Sequence, residues 1–98
     1  MRKALLFFKH TCKNCLPAKD FLEGLREEPM YAIVETYDMD TPDGLSMATY
    51  HGVILSPTVL VTDANDDDEV FGRYVGEIGK TLQEKIIKEL QVGDEGCR

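Results

Sequence analysis

Residues 3–15 read KALLFFKHTCKNC, and this stretch decides the fold because an apolar run leads directly into two cysteines separated by two residues. The run from Lys3 to Phe8 is short and is bounded by polar residues, which predicts a buried strand. From Cys12 to Arg26 the apolar residues recur at helical spacing, which predicts a helix that begins at the first cysteine. The stretch therefore predicts a Cys-x-x-Cys pair where a strand gives way to a helix.

The rest of the chain continues this alternation. Further strands are predicted at residues 31–37, 57–62 and 69–75, with one helix between residues 41 and 52 and a last helix from residue 81. The order β-α-β-α-β-β-α predicts an α/β fold with a four-stranded mixed sheet flanked by helices. We expect one domain over residues 1–92 and a flexible tail over residues 93–98.

Capping residues place the two later helices. Thr41 is a predicted N-cap with Pro42 at the first helical position, and Gly52 is placed to end that helix. Thr81 and Glu84 have the spacing of a capping box at the start of the last helix. Three residues of the middle helix are expected to turn inward: Leu45, Ala48 and Thr49.

Charge and hydropathy exclude several functions. The net charge of -7 leaves no basic stripe for nucleic acid or an anionic membrane, and a protein partner fits an acidic domain better. Residues 1–8 superficially resemble the start of a signal peptide, but a short buried strand fits them better. No segment approaches the roughly 20 apolar residues of a membrane span. We expect a soluble, cytoplasmic protein.

The three cysteines indicate a redox or metal-binding site and not a disulfide framework. At a helix start, backbone N–H groups and the nearby Lys13 would favour the thiolate form of Cys12, which is the attacking species. Cys15, three residues on, would be within disulfide reach on the same helical face. A zinc site is the alternative, and it would need further ligands from His10, His51 or Cys97.

The expected chemistry is a dithiol–disulfide cycle. Cys12 attacks a substrate disulfide as nucleophile, and Cys15 then resolves the mixed disulfide. A redox-inactive protein-binding module that merely retains the pair is the second alternative. A histidine such as His10 in a loop is more often a solvated surface residue than an acid–base group. The oxygen-rich segment 63–68 lacks the glycine and glutamate of a calcium loop and is interpreted as a hairpin turn.

Three motifs in sequence order resemble the thioredoxin–glutaredoxin superfamily. They are the Cys-x-x-Cys pair after the first strand, the sequence YHGV at residues 50–53 and the sequence PTVLV at residues 57–61. Gly76 before the last helix also fits, so the resemblance spans roughly Lys3 to Leu90. It implies that Pro57 is cis and packs against the cysteines, that the Ser56 backbone pairs with an extended substrate and that Thr58 flanks the site. Thr11 and Lys13 complete the implied substrate-binding set.

Departures from the family pattern indicate a small glutaredoxin-like thioredoxin. Thr11 stands where thioredoxins carry Trp, and Lys13-Asn14 replaces Gly-Pro. Leu6 occupies the position of the buried thioredoxin aspartate. Residues 74–77 read YVGE in place of the glutathione signature, which favours a thioredoxin-reductase-type flavoenzyme as reductant. The resemblance implies a monomeric electron carrier for protein disulfides, with no bound cofactor or metal.

Overall fold

The structure is a computed structural model that describes residues 1–27 and 32–95. Strands and helices alternate in the predicted order, which confirms the α/β class. The elements are β1 (Arg2–Phe8), α1 (Cys15–Glu27), β2 (Ile33–Asp38), α2 (Pro42–Tyr50), β3 (Thr58–Asp63), β4 (Val70–Val75) and α3 (Lys80–Glu95).

The four strands form one mixed sheet in the order β2-β1-β3-β4, as expected. β1 runs parallel to β2 and antiparallel to β3, and β3 runs antiparallel to β4. In this register Phe7 lies beside both Tyr37 and Thr58, and Thr58 lies beside Val75. The last residues of β1, β2 and β4 therefore meet the first residue of β3 at one end of the sheet, which we call the site end.

The central strand β1 is buried on both faces, which explains why its sequence is continuously apolar. Ala4 and Leu6 belong to one core, with residues of α1 and α3. Leu5 and Phe7 belong to a second, smaller core with Ala48 of α2. Helices thus cover both faces and leave the strand ends open.

The predicted caps of α2 are present. The side chain of Thr41 accepts a hydrogen bond from the Gly44 backbone N–H at 3.0 Å, and Gly52 follows the helix with φ +69°. The buried face differs from the expected one, because Leu45 and Thr49 are exposed while Gly44 and Ala48 are buried. α2 passes so close to β2 that a Cβ on Gly44 would stand 1.8 Å from the Asp38 carbonyl oxygen.

The ends of the other two helices also differ from expectation. α1 begins at Cys15 and not at Cys12, since the backbone from Lys9 to Cys15 first forms turns. α3 begins at Lys80, where the Gln83 N–H donates to the Gly79 carbonyl, so the expected capping box is not what starts the helix. α3 continues to Glu95, three residues into the segment expected to be a tail. Two residues named in the sequence analysis lie outside the described residues, Tyr31 of the second predicted strand and Cys97 near the C-terminus.

A polar cluster links Lys3, near the opposite end of β1, to β2 and to the β3–β4 connection. Lys3 is buried, and its Nζ lies 2.6 Å from Asp67 and 3.0 Å from Glu35. The Tyr37 hydroxyl donates to Glu35 at 2.7 Å. Burial and this hydrogen bond raise the Tyr37 pKa. The β3–β4 connection, residues 64–69, is the expected hairpin turn and is tied to β1 through Asp67.

No helix within the described ranges is both long and apolar enough to cross a lipid bilayer.

Candidate redox site

The two neighbouring cysteines lie at the site end of the sheet and form a disulfide, with Cα atoms 5.3 Å apart. Cys15 is the first residue of α1 and is only 3% exposed. Cys12 is partly exposed and belongs to the preceding turn, where its N–H donates to the Lys9 carbonyl at 3.2 Å. The expectation that both cysteines share one helical face is therefore wrong, since only Cys15 is helical. The turn brings them together instead.

A cavity of about 270 Å³ opens beside the disulfide. Eight of the described residues line it: Phe8, Lys9, His10, Cys12, Lys13, Cys15, Leu16 and Lys19. Its apolar part comes from the end of β1 and the first turn of α1, where Leu16 is 65% exposed. The Nζ of Lys19 lies 5.0 Å from the centre of the Phe8 ring, within the range of a cation–π contact.

His10 is held beside this cavity by two carboxylates. Its Nε2 lies 2.7 Å from the Asp38 carboxylate, and its backbone N–H donates to Asp40 at 3.2 Å. The His10 ring also meets the Phe8 ring edge to face at 5.8 Å. The side chain remains largely exposed, in line with the surface residue expected from the sequence.

The segment that leads into β3 forms the other side of the site end. The Ser56–Pro57 peptide bond is cis, and the Pro57 carbonyl accepts a hydrogen bond from Gly76 at 2.9 Å. Thr58 is 1% exposed and donates its hydroxyl proton to the Leu55 carbonyl at 2.6 Å. Thr58 therefore holds this segment in place and does not offer its side chain to a substrate. Two residues of the segment are open to solvent, Ile54 at 83% and Leu55 at 62%.

The expected site residues thus divide into two groups. Thr11 and Lys13 are exposed in the turn with Cys12, and Ser56 is partly exposed at the start of β3. The ring of Pro57 is buried, as is Thr58. Sequence reasoning missed three residues that line the cavity: Phe8, Leu16 and Lys19. Lys19 could have been found, because it follows Cys15 by four residues on a helix and so lies on the same face.

Among the side chains that the structure describes, those of residues 1–27 and 32–91, no three His, Cys, Asp or Glu come close enough together to hold a metal ion. Neither His10 nor His51 joins the cysteines in such a group. His51 is buried against the Phe7 ring instead, with centroids 5.9 Å apart.

Neither the models of known protein families nor the curated proteins give a match to this chain. Among solved structures, a malarial protein is 18% identical with a TM-score of 0.70, over 92% of this chain and 97% of its own. Oxidized thioredoxin O2 from Arabidopsis thaliana is 15% identical with a TM-score of 0.73, over 92% of this chain and 75% of its own. Thioredoxin from Fasciola hepatica is 22% identical with a TM-score of 0.73, over 90% of this chain and 80% of its own. The chain therefore adopts the thioredoxin-like fold.

Proposed function

We propose that this protein is a thiol–disulfide oxidoreductase that reduces protein disulfides. The observation that carries the proposal is the unequal exposure of the bonded pair, with Cys12 open at a cavity and Cys15 buried at 3%. An attacking sulfur must reach a second molecule, whereas a resolving sulfur needs to reach only its neighbour. Cys12 therefore acts as the nucleophile and Cys15 as the resolving cysteine.

The cycle starts from the dithiol. The Cys12 thiolate attacks one sulfur of the substrate disulfide, the substrate S–S bond breaks, and the departing sulfur takes a proton. Cys15 then gives up its proton and attacks the Cys12 sulfur, which releases the second substrate thiol. The protein is left with the Cys12–Cys15 disulfide, and two electrons have passed to the substrate. An external reductant must restore the dithiol.

The surroundings of the pair favour a protein substrate. Ile54 and Leu55 are exposed beside Ser56, and Leu16 is exposed beside Cys15. An extended segment with apolar side chains would cover these residues while its backbone pairs with that of Ser56. Pro57 has no backbone N–H, so it cannot donate a hydrogen bond to that segment. Thioredoxins are among the structural neighbours, which supports substrates of this kind.

We further propose an electron donor, a cellular compartment and an oligomeric state for the protein. A thioredoxin-reductase-type flavoenzyme is the proposed electron donor, because residues 74–77 lack the glutathione signature. The protein would act in the cytoplasm as a monomer without a bound cofactor. The resemblance to small glutaredoxin-like thioredoxins supports both points.

Equilibration of the purified protein with dithiothreitol redox buffers tests the proposal, with the disulfide followed by mass. We expect reversible two-electron reduction within the range of about −200 to −270 mV that spans glutaredoxins and thioredoxin. Cys12→Ser should abolish reduction of a disulfide substrate. Cys15→Ser should instead accumulate a mixed disulfide with it, because nothing resolves the first intermediate.

Three results would contradict the proposal or the roles that it assigns to the two cysteines. If the cysteine pair forms no disulfide at any potential, the protein is better explained as a redox-inactive protein-binding module. Stoichiometric zinc that resists removal would favour the metal-binding alternative, with ligands outside the described residues. Equal trapping of substrate by both single variants would contradict the assigned roles of the two cysteines.

A further inference from the structure

The wall of the redox cavity carries a charge that contrasts with the rest of the chain. Of the eight described residues that line it, three are lysines, Lys9, Lys13 and Lys19, and none is Asp or Glu. The whole chain has a net charge of -7. Acidic residues therefore outnumber basic ones overall, yet the surface beside the disulfide is basic.

These three lysines are not neutralised by the described part of the protein. None of them lies within ion-pair distance of a described carboxylate, whereas Arg2 and Lys3 do. The two carboxylates next to the cavity, Asp38 and Asp40, are both directed at His10. Charges without internal partners at the mouth of a cavity attract an oppositely charged ligand, and the attraction is strongest where apolar walls exclude water.

The lysines lie close to the reactive cysteines, which limits the kind of ligand that they can attract. Lys13 lies between the cysteines in sequence, and Lys19 is one helical turn beyond Cys15. An anionic group in the cavity would therefore sit within a few residues of the substrate sulfur that Cys12 attacks. Phe8 and Leu16 add apolar surface to the same cavity.

We infer that the site selects disulfides flanked by acidic residues in an extended protein segment. The inference rests on the proposed function and adds its substrate class. The exposed apolar residues Ile54 and Leu55 lie at the same end of the sheet as the lysines, but they lie outside the cavity that the lysines line. A ligand that covers both regions must be longer than a small disulfide, so an extended segment is favoured. Carboxylates of the substrate occupy the lysine side of the site, and its apolar residues cover the other side.

The test compares disulfide-bonded peptides that differ only in the residues flanking the cysteines, which are acidic, neutral or basic. The second-order rate constant for oxidation of the reduced protein is measured by acid quench and mass. We expect the acidic peptide to react about tenfold faster than the basic one at low ionic strength. The preference should shrink as salt shortens the Debye length to about 10 Å at 0.1 M.

Two double variants show whether the cavity lysines cause the preference for acidic peptides. Lys9→Gln with Lys19→Gln removes two cavity charges and leaves Lys13, which adjoins the reactive sulfur, in place. Lys85→Gln with Lys88→Gln makes the same change in net charge on exposed residues of α3. The ratio of acidic to basic rate constants should fall by half or more in the first variant and stay unchanged in the second.

Each other outcome has a defined meaning. Equal rates for all three peptides would overturn the inference while the proposed function stands, whereas no reaction with any peptide would overturn the proposed function itself. An equal loss of preference in both double variants would show a net-charge effect and not a site. Glutathione disulfide is the small acidic control, and a rate equal to that of the acidic peptide, with the same dependence on the cavity lysines, would overturn the preference for a segment.

Discussion

Substitution of Gly44 by alanine tests the close approach of α2 to the sheet. A Cβ at this position would stand 1.8 Å from the Asp38 carbonyl oxygen, whereas real Cβ contacts are not shorter than 3.0 Å. The obstacle is backbone of β2 and cannot rotate away, so the helix and the strand end must separate by more than an ångström. Overpacking of this kind costs about 1–3 kcal/mol. That loss exceeds the gain of up to about 1 kcal/mol that alanine brings to a helix interior.

Gly24→Ala is the matched control, because it is also a helical glycine and its Cβ would meet nothing within 4 Å. In a domain of this size, each kcal/mol corresponds to about 4–8 °C in Tm. Thermal and denaturant unfolding of the oxidised proteins, followed by circular dichroism, should show Gly44→Ala with a lower Tm and Gly24→Ala with an unchanged or higher one. A Gly44→Ala protein as stable as the parent would refute the close approach.

Three further perturbations follow from individual contacts. Burial and a hydrogen bond to a carboxylate raise the Tyr37 pKa, and two carboxylates raise the Lys3 pKa although burial alone would lower it. The folded state therefore holds protons that the unfolded chain releases, so stability should fall as pH rises above about 10, and Tyr37→Phe should reduce that slope in Tm measurements. Thr41→Ala removes the N-cap of α2 and should cost about 1 kcal/mol in urea unfolding, and a loss below a few tenths would contradict the cap. Leu22→Ala in the core should cost about 2–5 kcal/mol, whereas the exposed Leu45→Ala should stay within about 0.5 kcal/mol, and equal losses would contradict the assigned core.

The element order and sheet type could be predicted because each element carries a local signal. The continuous apolar run of β1 marks a strand buried on both faces, and Thr41 with Pro42 marks a helix start by residue chemistry alone. The start of α1 was predicted three residues too early. Helical spacing of the apolar residues cannot exclude a turn that precedes the helix, and here the Lys9 carbonyl captures the Cys12 N–H before the helix begins.

The candidate site was only partly predictable. The spacing of Cys12 and Cys15 locates the pair, but the charge of its cavity depends on which side chains the fold brings to one place. Lys19 joins the cavity through its position on α1 over the Phe8 ring. The buried face of α2 was also unpredictable, because Gly44 faces the sheet through lack of a side chain and not through hydrophobicity.

The opposite end of the sheet offers a place to attach the protein to a solid support. The β3–β4 connection begins beside Arg2 at the start of β1, so a full strand length separates it from the cysteines. Within it Asp67 binds Lys3 and Asp68 contacts Tyr50, whereas Asn65 and Asp66 are exposed. A linker inserted between Asn65 and Asp66 would immobilise the chain on a bead or an electrode with the disulfide directed outward.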